Sequence, residues 1–330
     1  MRILKDRDYK TFTQLCALTQ NGMIATMKRY LESKYDTVVA TDDYIYAVGN
    51  IPVALAAHMD TVFPRPATQV YYDKEQNVIW SPDGLGADDR AGIFAIIQII
   101  KKGLRPHIIL TTDEEKGANG AFALAELKCP FPDLRFIIQL DRRGADDCVF
   151  YECENNDFID YIESFGFVEA IGSFTDISVI CPEWGIAGVN LSVGYRNEHS
   201  VSETLHVGHL LNTIDKVTNI LSQPEKKLPR FIYVASKRRG WWNRWNTWKP
   251  AKPTSEECKC ASCGKQHPSD ELIDVKTADF KWKKYCGDCI VDKVDWCACC
   301  GEAYELNSDG AAMRLCEDCY YDFYYTASAT

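Results

Sequence analysis

Val53-Ala-Leu-Ala-Ala-His-Met-Asp60 is the stretch that decides the fold. Its apolar run, Val53 to Ala57, belongs to an expected extended segment. The run ends on His58 and Asp60. In an extended chain residues i and i+2 point the same way, so the Asp60 carboxylate can fix the ring of His58.

On either side of this strand the periodicity sets out the remaining elements. A helix is expected from Tyr9 to Ser33, with Phe12, Leu15, Leu18, Met23, Ile24, Met27 and Leu31 as its apolar stripe. Extended segments are expected at Thr37–Ala40, Tyr44–Val48 and Ile51–Ala57, then a hairpin from Val70 to Trp80 and a helix from Arg90 to Lys102. Next come a strand His107–Thr111, a helix Ala121–Leu127, strands Phe136–Leu140 and Val149–Cys153, a helix Phe158–Phe165, a strand Gly188–Val193 and a helix Ser202–Leu221. Strands alternating with helices predict an α/β fold with a mixed, mostly parallel central sheet and helices on both faces. In such sheets the reactive groups gather beyond the carboxyl ends of the strands.

Composition bounds the rest. The 330 residues, 46% of them hydrophobic, hold one medium domain plus a smaller module. No stretch approaches the roughly 20 apolar residues of a membrane span, and Met1-Arg-Ile-Leu-Lys-Asp lacks a signal-like apolar run. A cytoplasmic location is therefore expected. A net charge of −10 argues against general nucleic-acid binding. After Phe231-Ile-Tyr-Val-Ala235 the character changes: Lys237 to Lys252 carries six Lys or Arg, no acid, and Trp241, Trp242, Trp245 and Trp248. The expected division is a domain over 1–235, a basic Trp-rich linker over 236–257 and a cysteine-rich tail over 258–330.

Four more segments end or follow predicted strands with metal-ligand residue types. Gly86-Ala-Asp-Asp-Arg-Ala-Gly92 places two carboxylates at the start of a helix, where Asp also serves as an ordinary cap. Thr112-Asp-Glu-Glu-Lys-Gly117 follows the strand ending at Thr111; an isolated Glu-Glu pair is most often a solvated turn. Asp141 follows Phe136-Ile-Ile-Gln-Leu140, and His199 follows Val193-Gly-Tyr-Arg-Asn-Glu.

Taken in order, Ala57-His-Met-Asp-Thr61, Gly86-Ala-Asp-Asp-Arg-Ala-Gly92, Thr112-Asp-Glu-Glu115, Leu140-Asp141 and Asn197-Glu-His-Ser200 resemble the co-catalytic two-zinc peptidases of the peptidase T, M42 and M28 aminopeptidase groups, related to M20. The resemblance spans about residues 20 to 222. It implies that Asp88 bridges two zinc ions, with His58 and Asp141 on one and Glu115 and His199 on the other. Glu114 would be the general base and Asp60 would orient His58. Asp89 competes with Asp88, but in the resembling motifs the aspartate stands two places before the basic residue. His206 and His209 compete with His199; Ser200-Val-Ser-Glu203 reads as a capping box, which puts His199 just ahead of a helix and the other two inside it. His107 opens a strand on the side away from the ligand loops and reads as structural.

Many of these relatives carry an inserted lid domain, for which the gaps from His58 to Asp88 and from Asp141 to His199 are too short. A group stabilising the tetrahedral intermediate would then come from the domain's own loops or from the tail, with Arg142, Arg143 and Arg196 as candidates. Gly172-Ser-Phe-Thr-Asp176 lies where relatives have a Thr-Asp turn beside the site; a helix cap explains it equally well. Asp at 141, where carboxypeptidases and deacylases of the wider clan have Glu, favours an aminopeptidase.

Of fifteen cysteines, ten lie between Cys258 and Cys319. Cys260-Ala-Ser-Cys263-Gly264 pairs with Cys286-Gly-Asp-Cys289, and Cys297-Ala-Cys-Cys300-Gly301 with Cys316-Glu-Asp-Cys319, an internal repeat. Each unit offers four thiolates from two knuckles, the donor set of a structural zinc site, so two structural zincs are expected beside the two catalytic ones. Glycine after the leading knuckles permits the tight turn that aims N–H groups at sulfur. With eight Lys or Arg against thirteen Asp or Glu from Cys258 to Thr330, the tail suits a protein partner better than nucleic acid. The expectation is a zinc-dependent hydrolase of peptide bonds, an aminopeptidase acting on short peptides or protein N-termini. The alternatives are an amidase or deacylase on a non-peptide amide, and an inactive zinc-dependent interaction module.

Overall fold

The computed structural model describes residues 2–236, 257–268, 272–277, 281–286, 289, 294–296 and 303–306. The chain divides into two compact units, Met1–Arg238 and Arg239–Thr330. The expected sites at Cys297, Cys300, Cys316 and Cys319, and the Trp-rich linker, lie outside the described residues.

Strand β3 (Ile51–His58) lies in the interior of an eight-stranded sheet, flanked by β6 (Pro106–Thr111) and β7 (Phe136–Arg142), both parallel to it. Beyond β7 come β10 (Gly188–Ser192), parallel, then β8 (Asp147–Val149) and β9 (Val168–Glu169); beyond β6 come β2 (Tyr44–Val48) and β1 (Thr37–Ala40), which run antiparallel to their inner neighbours. The mixed, mostly parallel sheet with helices on both faces is the architecture read from the alternation. The run in β3 is continuous because both faces are covered. Val53, Leu55 and Ala57 enter one core cluster and Ala54 and Ala56 the other.

The first cluster holds α1 (Asp6–Cys16), α2 (Gln20–Glu32), α3 (Ala87–Lys101), α5 (Asn156–Glu163) and α7 (Val207–Leu221); the second holds α4 (Asn119–Ala125) and α6 (Asp176–Trp184). A smaller sheet, in the order β11 (Tyr195–Arg196), β12 (Thr204–His206), β5 (Val78–Trp80) and β4 (Tyr71–Asp73), contains the expected hairpin. The first unit is one contiguous stretch of chain.

Several expected boundaries are corrected. The helix over 9–33 is two helices, because Thr19 accepts the Gly22 N–H at 3.2 Å and starts α2 afresh. The apolar stripe continues across that break and hides it. The strand expected at Val149–Cys153 is β8, ending at Val149, since Tyr151 and Glu152 take positive φ. The helix expected from Ser202 begins at Val207, and Thr204–His206 is a strand paired with β5. The Gly172–Asp176 stretch opens helix α6, where the Thr175 N–H donates to Ser178 Oγ at 3.0 Å. His107 is structural as expected. Its Nδ1 accepts the Gly49 N–H, its ring stacks on Phe131 at 4.6 Å, and burial lowers its pKa to about 4.

In the second unit β13 (Glu257–Lys259) pairs with β14 (Gln266–Pro268). Strands β16 (Trp282–Cys286), β15 (Leu272–Lys276), β18 (Ala303–Glu305) and β17 (Val294–Trp296) form a sheet in that order.

Helix α3 lies directly against β7. A Cβ added at Gly92 would sit 2.1 Å from the Leu140 carbonyl oxygen and 2.5 Å from Asp89 Oδ2, closer than any side chain tolerates. Overpacking of this kind costs about 1–3 kcal/mol. Gly92→Ala is therefore expected to lower the urea midpoint of unfolding by a corresponding amount, and an unchanged midpoint would contradict the close packing.

Candidate metal centre

The carboxyl ends of β3, β6 and β7 and the start of α3 converge on one point. His58 ends β3 opposite Thr111, which ends β6 and leads into Glu114 and Glu115; Asp141 is near the end of β7. Asp88 belongs to the irregular opening of α3, where Gly86 is left-handed, Asp88 and Asp89 depart from helical angles, and the peptide between them is cis.

One carboxylate joins two groups of donors. Asp88 Oδ1 lies 3.0 Å from His58 Nε2, and Oδ2 lies 3.3 Å from His199 Nε2. His58 Nε2 is also 3.5 Å from Asp141 Oδ1, and His199 Nε2 is 3.0 Å from Glu115 Oε2. Within each triad, His58–Asp88–Asp141 and Asp88–Glu115–His199, the donor atoms all lie within 4.8 Å of one another. The five residues expected as ligands are thus brought together. The His58 side is buried, whereas the His199 side chain is 53% exposed and marks the open side.

Asp60 holds the frame from behind. Its Oδ1 is 3.1 Å from His58 Nδ1 and accepts the Glu114 N–H at 3.1 Å, while Oδ2 accepts the Glu115 N–H at 3.1 Å. With Nδ1–H directed at Asp60, the Nε2 lone pair faces Asp88 and Asp141, the orientation a metal ligand requires. Asp89, the competitor of Asp88, faces away: it accepts the His58 N–H at 3.3 Å and caps α3 through the Gly92 N–H at 2.8 Å. Neither His206 nor His209 joins the cluster among the described residues; their rings stack on each other at 5.2 Å. Arg142 donates to the Ile171 carbonyl, Arg143 pairs with Glu198 at 2.7 Å, and Arg196 is exposed on β11.

Electrostatics describe a site rich in buried negative charge. Burial, reinforced by Asp141, Asp176 and Glu115, pushes the Glu114 carboxyl well above its ordinary range. Burial and Asp88 raise Glu115 as well. Burial opposes a charged His58, but the surrounding carboxylates of Asp141, Asp60 and Asp88 outweigh it and raise its pKa. Hydrogen bonds that the His199 ring donates to Asp88 and Glu115 raise its pKa to about 11. Glu115 Oε1 is buried without a hydrogen-bond partner. Clustered carboxylates, imidazole nitrogens and an orphaned buried oxygen are the donor chemistry of divalent cations such as zinc, and the residues present fit two such ions.

Several supporting residues escaped the sequence reading. Asp141 Oδ2 accepts from Gln139 Nε2 at 2.9 Å and Thr175 Oγ1 at 3.0 Å, and its Oδ1 accepts from the Tyr195 hydroxyl at 3.1 Å. Thr175 belongs to the Gly172–Asp176 stretch, which is therefore both a helix start and part of the site. Glu203 does not cap its own helix as expected. Its two carboxylate oxygens accept the N–H groups of Ala87 and Asp88, each at 3.0 Å, so it closes the start of α3 from the loop that carries His199. The sequence signal at Glu203 is only Ser200-Val-Ser-Glu203, which a capping box explains equally well.

In the second unit the sulfur atoms of Cys260, Cys263, Cys286 and Cys289 lie within 4.8 Å of one another. Gly264 takes φ of 71°, as its turn requires. The Ser262 and Cys286 N–H groups each donate to Cys260 Sγ at 3.4 Å; burial opposes ionisation, yet these donors hold that thiol down at about 6.

No protein-family model matches the chain, and no curated protein is detectably similar in sequence. Solved structures do match in fold. Aminopeptidase PepT from Bacillus cereus ATCC 10987 aligns with a TM-score of 0.52 at 16% identity, over 66% of this chain and 98% of that one. A tripeptidase from Staphylococcus aureus subsp. aureus Mu50 gives 0.53 at 15% identity, over 68% and 100%. Aminopeptidase APDkam598 from the archaeon Desulfurococcus kamchatkensis gives 0.51 at 13%, over 66% and 95%. The chain has the fold of these peptidases.

Replacing Glu203 by Ala leaves two buried N–H donors without acceptors, at roughly 1–3 kcal/mol each. Glu203→Ala is expected to show a lowered denaturation midpoint of that order; a wild-type midpoint would mean that the clamp contributes nothing.

Proposed function

We propose that the chain is a two-zinc hydrolase of peptide bonds, an aminopeptidase acting on short peptides or protein N-termini. The observation that carries this reading is the Asp88 carboxylate, which presents one oxygen to each of two ligand groups. In this reading His58, Asp88 and Asp141 hold one ion, and Asp88, Glu115 and His199 hold the other. When bound, the pair supplies Lewis acidity to the scissile carbonyl and to the attacking water. Asp60 keeps His58 in the ligating tautomer. Glu114, not a ligand, takes a proton at its carboxylate and passes it to the leaving amine. The fold shared with known peptidases supports this assignment.

The cysteine-rich tail carries two structural zinc ions, one of them on Cys260, Cys263, Cys286 and Cys289, and offers a protein partner its surface. The backbone N–H groups aimed at Cys260 Sγ support a thiolate there.

A general base of this kind contributes roughly 10²- to 10⁴-fold. Glu114→Gln is expected to lower hydrolysis of unblocked aminoacyl substrates by that factor with zinc content unchanged. Cleavage of N-acylated substrates alone would sink the aminopeptidase assignment. Elemental analysis should find four zincs per chain, and three in Cys286→Ser. Two zincs, both retained by the isolated tail, would refute a metallated core.

A further inference from the structure

Arg90 stands two residues after Asp88 and is 3% exposed, so its guanidinium is withdrawn from water inside the fold. Its Nη1 donates to the Met59 carbonyl at 2.6 Å and reaches the Asp60 carbonyl at 3.4 Å, while Nη2 donates to the Leu18 carbonyl at 3.1 Å. Met59 lies between His58 and Asp60, and Leu18 lies between α1 and α2. One side chain thus ties together the turn after β3, the elbow between two helices and the start of α3, which carries Asp88.

The carboxylates around this cation are those that place the ligands. Burial lowers the pKa of Arg90, and Cys16, Asp60, Asp89 and Glu203 act against that. Asp60 orients the His58 ring, Asp89 accepts the His58 N–H, and Glu203 accepts the N–H groups of Ala87 and Asp88. In the first triad His58 and Asp88 depend on these bonds, whereas Asp141 is held separately by Gln139, Thr175 and Tyr195.

We propose that Arg90 is a positioning residue of the metal centre. It braces the His58–Asp60 turn against the start of α3, and so sets His58 against Asp88 and the affinity for the ion those two share with Asp141. The inference rests on the two-zinc reading above. Burying a cation is costly unless it is hydrogen-bonded and paired, and two of the three bonds Arg90 makes land on the turn that carries His58. A guanidinium presents its donors as a rigid planar fork and holds carbonyls from two elements at once; an ammonium is a point charge on a flexible stem. Ligand sets must be held to within roughly 0.5 Å to work, and that is the tolerance the fork supplies.

The test measures metal affinity in the full-length protein by chelator competition, with cobalt(II) as the probe. Thiolate sites absorb strongly with cobalt and carboxylate–imidazole sites weakly, so the candidate centre is read apart from the cysteine-rich unit. Arg90→Lys keeps the charge and loses the fork, Arg90→Gln loses both, and Ile100→Ala empties a buried position at the far end of α3 without touching a ligand. Residues that support a metal ligand are worth about 10- to 100-fold in affinity. Arg90→Lys is expected to weaken cobalt binding at the centre within that range, with excess metal restoring its rate of peptide hydrolysis, while Ile100→Ala lowers the urea midpoint and leaves the affinity unchanged. Should Arg90→Gln fail to fold, Arg90→Lys decides. Wild-type affinity in Arg90→Lys would overturn the positioning role, and so would an equal weakening in Ile100→Ala, which would mark a general loss of stability. Absence of cobalt from the wild-type centre would overturn the two-zinc reading and the positioning role with it; a loaded centre that hydrolyses no peptide would overturn the peptidase reading alone.

Discussion

The site depends on where one carboxylate is held. Asp88 meets His58 with one oxygen and His199 with the other, although the two histidines are far apart in sequence and come from different parts of the fold. That placement is fixed from the backbone. Glu203 grips the N–H groups of Ala87 and Asp88, Asp89 closes the first turn of α3 through Gly92, and Gly92 lets the helix lie against the end of β7, where Asp141 stands. The loop that carries His199 also carries Glu203, so one segment bears on both Asp88 and His199 of the second triad. Asp60 does the same on the other side, orienting His58 while accepting the amides of Glu114 and Glu115.

The burial that orders these groups makes them electrostatically demanding. Carboxylates withdrawn from water repel one another, and the site answers partly with imidazole and partly with amide donors. Burial leaves Glu115 Oε1 without a donor and pushes the Glu114 carboxyl above its ordinary range. Arg90, a few residues into α3, adds fixed positive charge behind Asp60.

Much of this was legible in the sequence because it is carried by strand ends. A strand buried on both faces declares itself as an apolar run, and the polar residue that follows it must sit at the sheet's edge; His58 and Asp141 were found that way. The five ligand candidates were named from ordered motifs, and all five converge. What failed were features set by single side chains reaching across the fold. Thr19 breaks a helix whose apolar stripe runs on unbroken, and Glu203, placed where a capping box would put it, caps α3 instead of α7. Gln139, Thr175 and Tyr195 gave no local sign of their hold on Asp141, since a tertiary hydrogen bond leaves no periodicity.

The proposed chemistry requires that Asp88 bridge two metal ions. Anomalous diffraction from crystals of the zinc-loaded protein, collected on either side of the zinc edge, tests it most directly. Two peaks are expected within coordination distance of the Asp88 carboxylate, one also bound by His58 and Asp141 and the other by Glu115 and His199. Peaks confined to the cysteine-rich unit, or a single ion that does not touch Asp88, would contradict it.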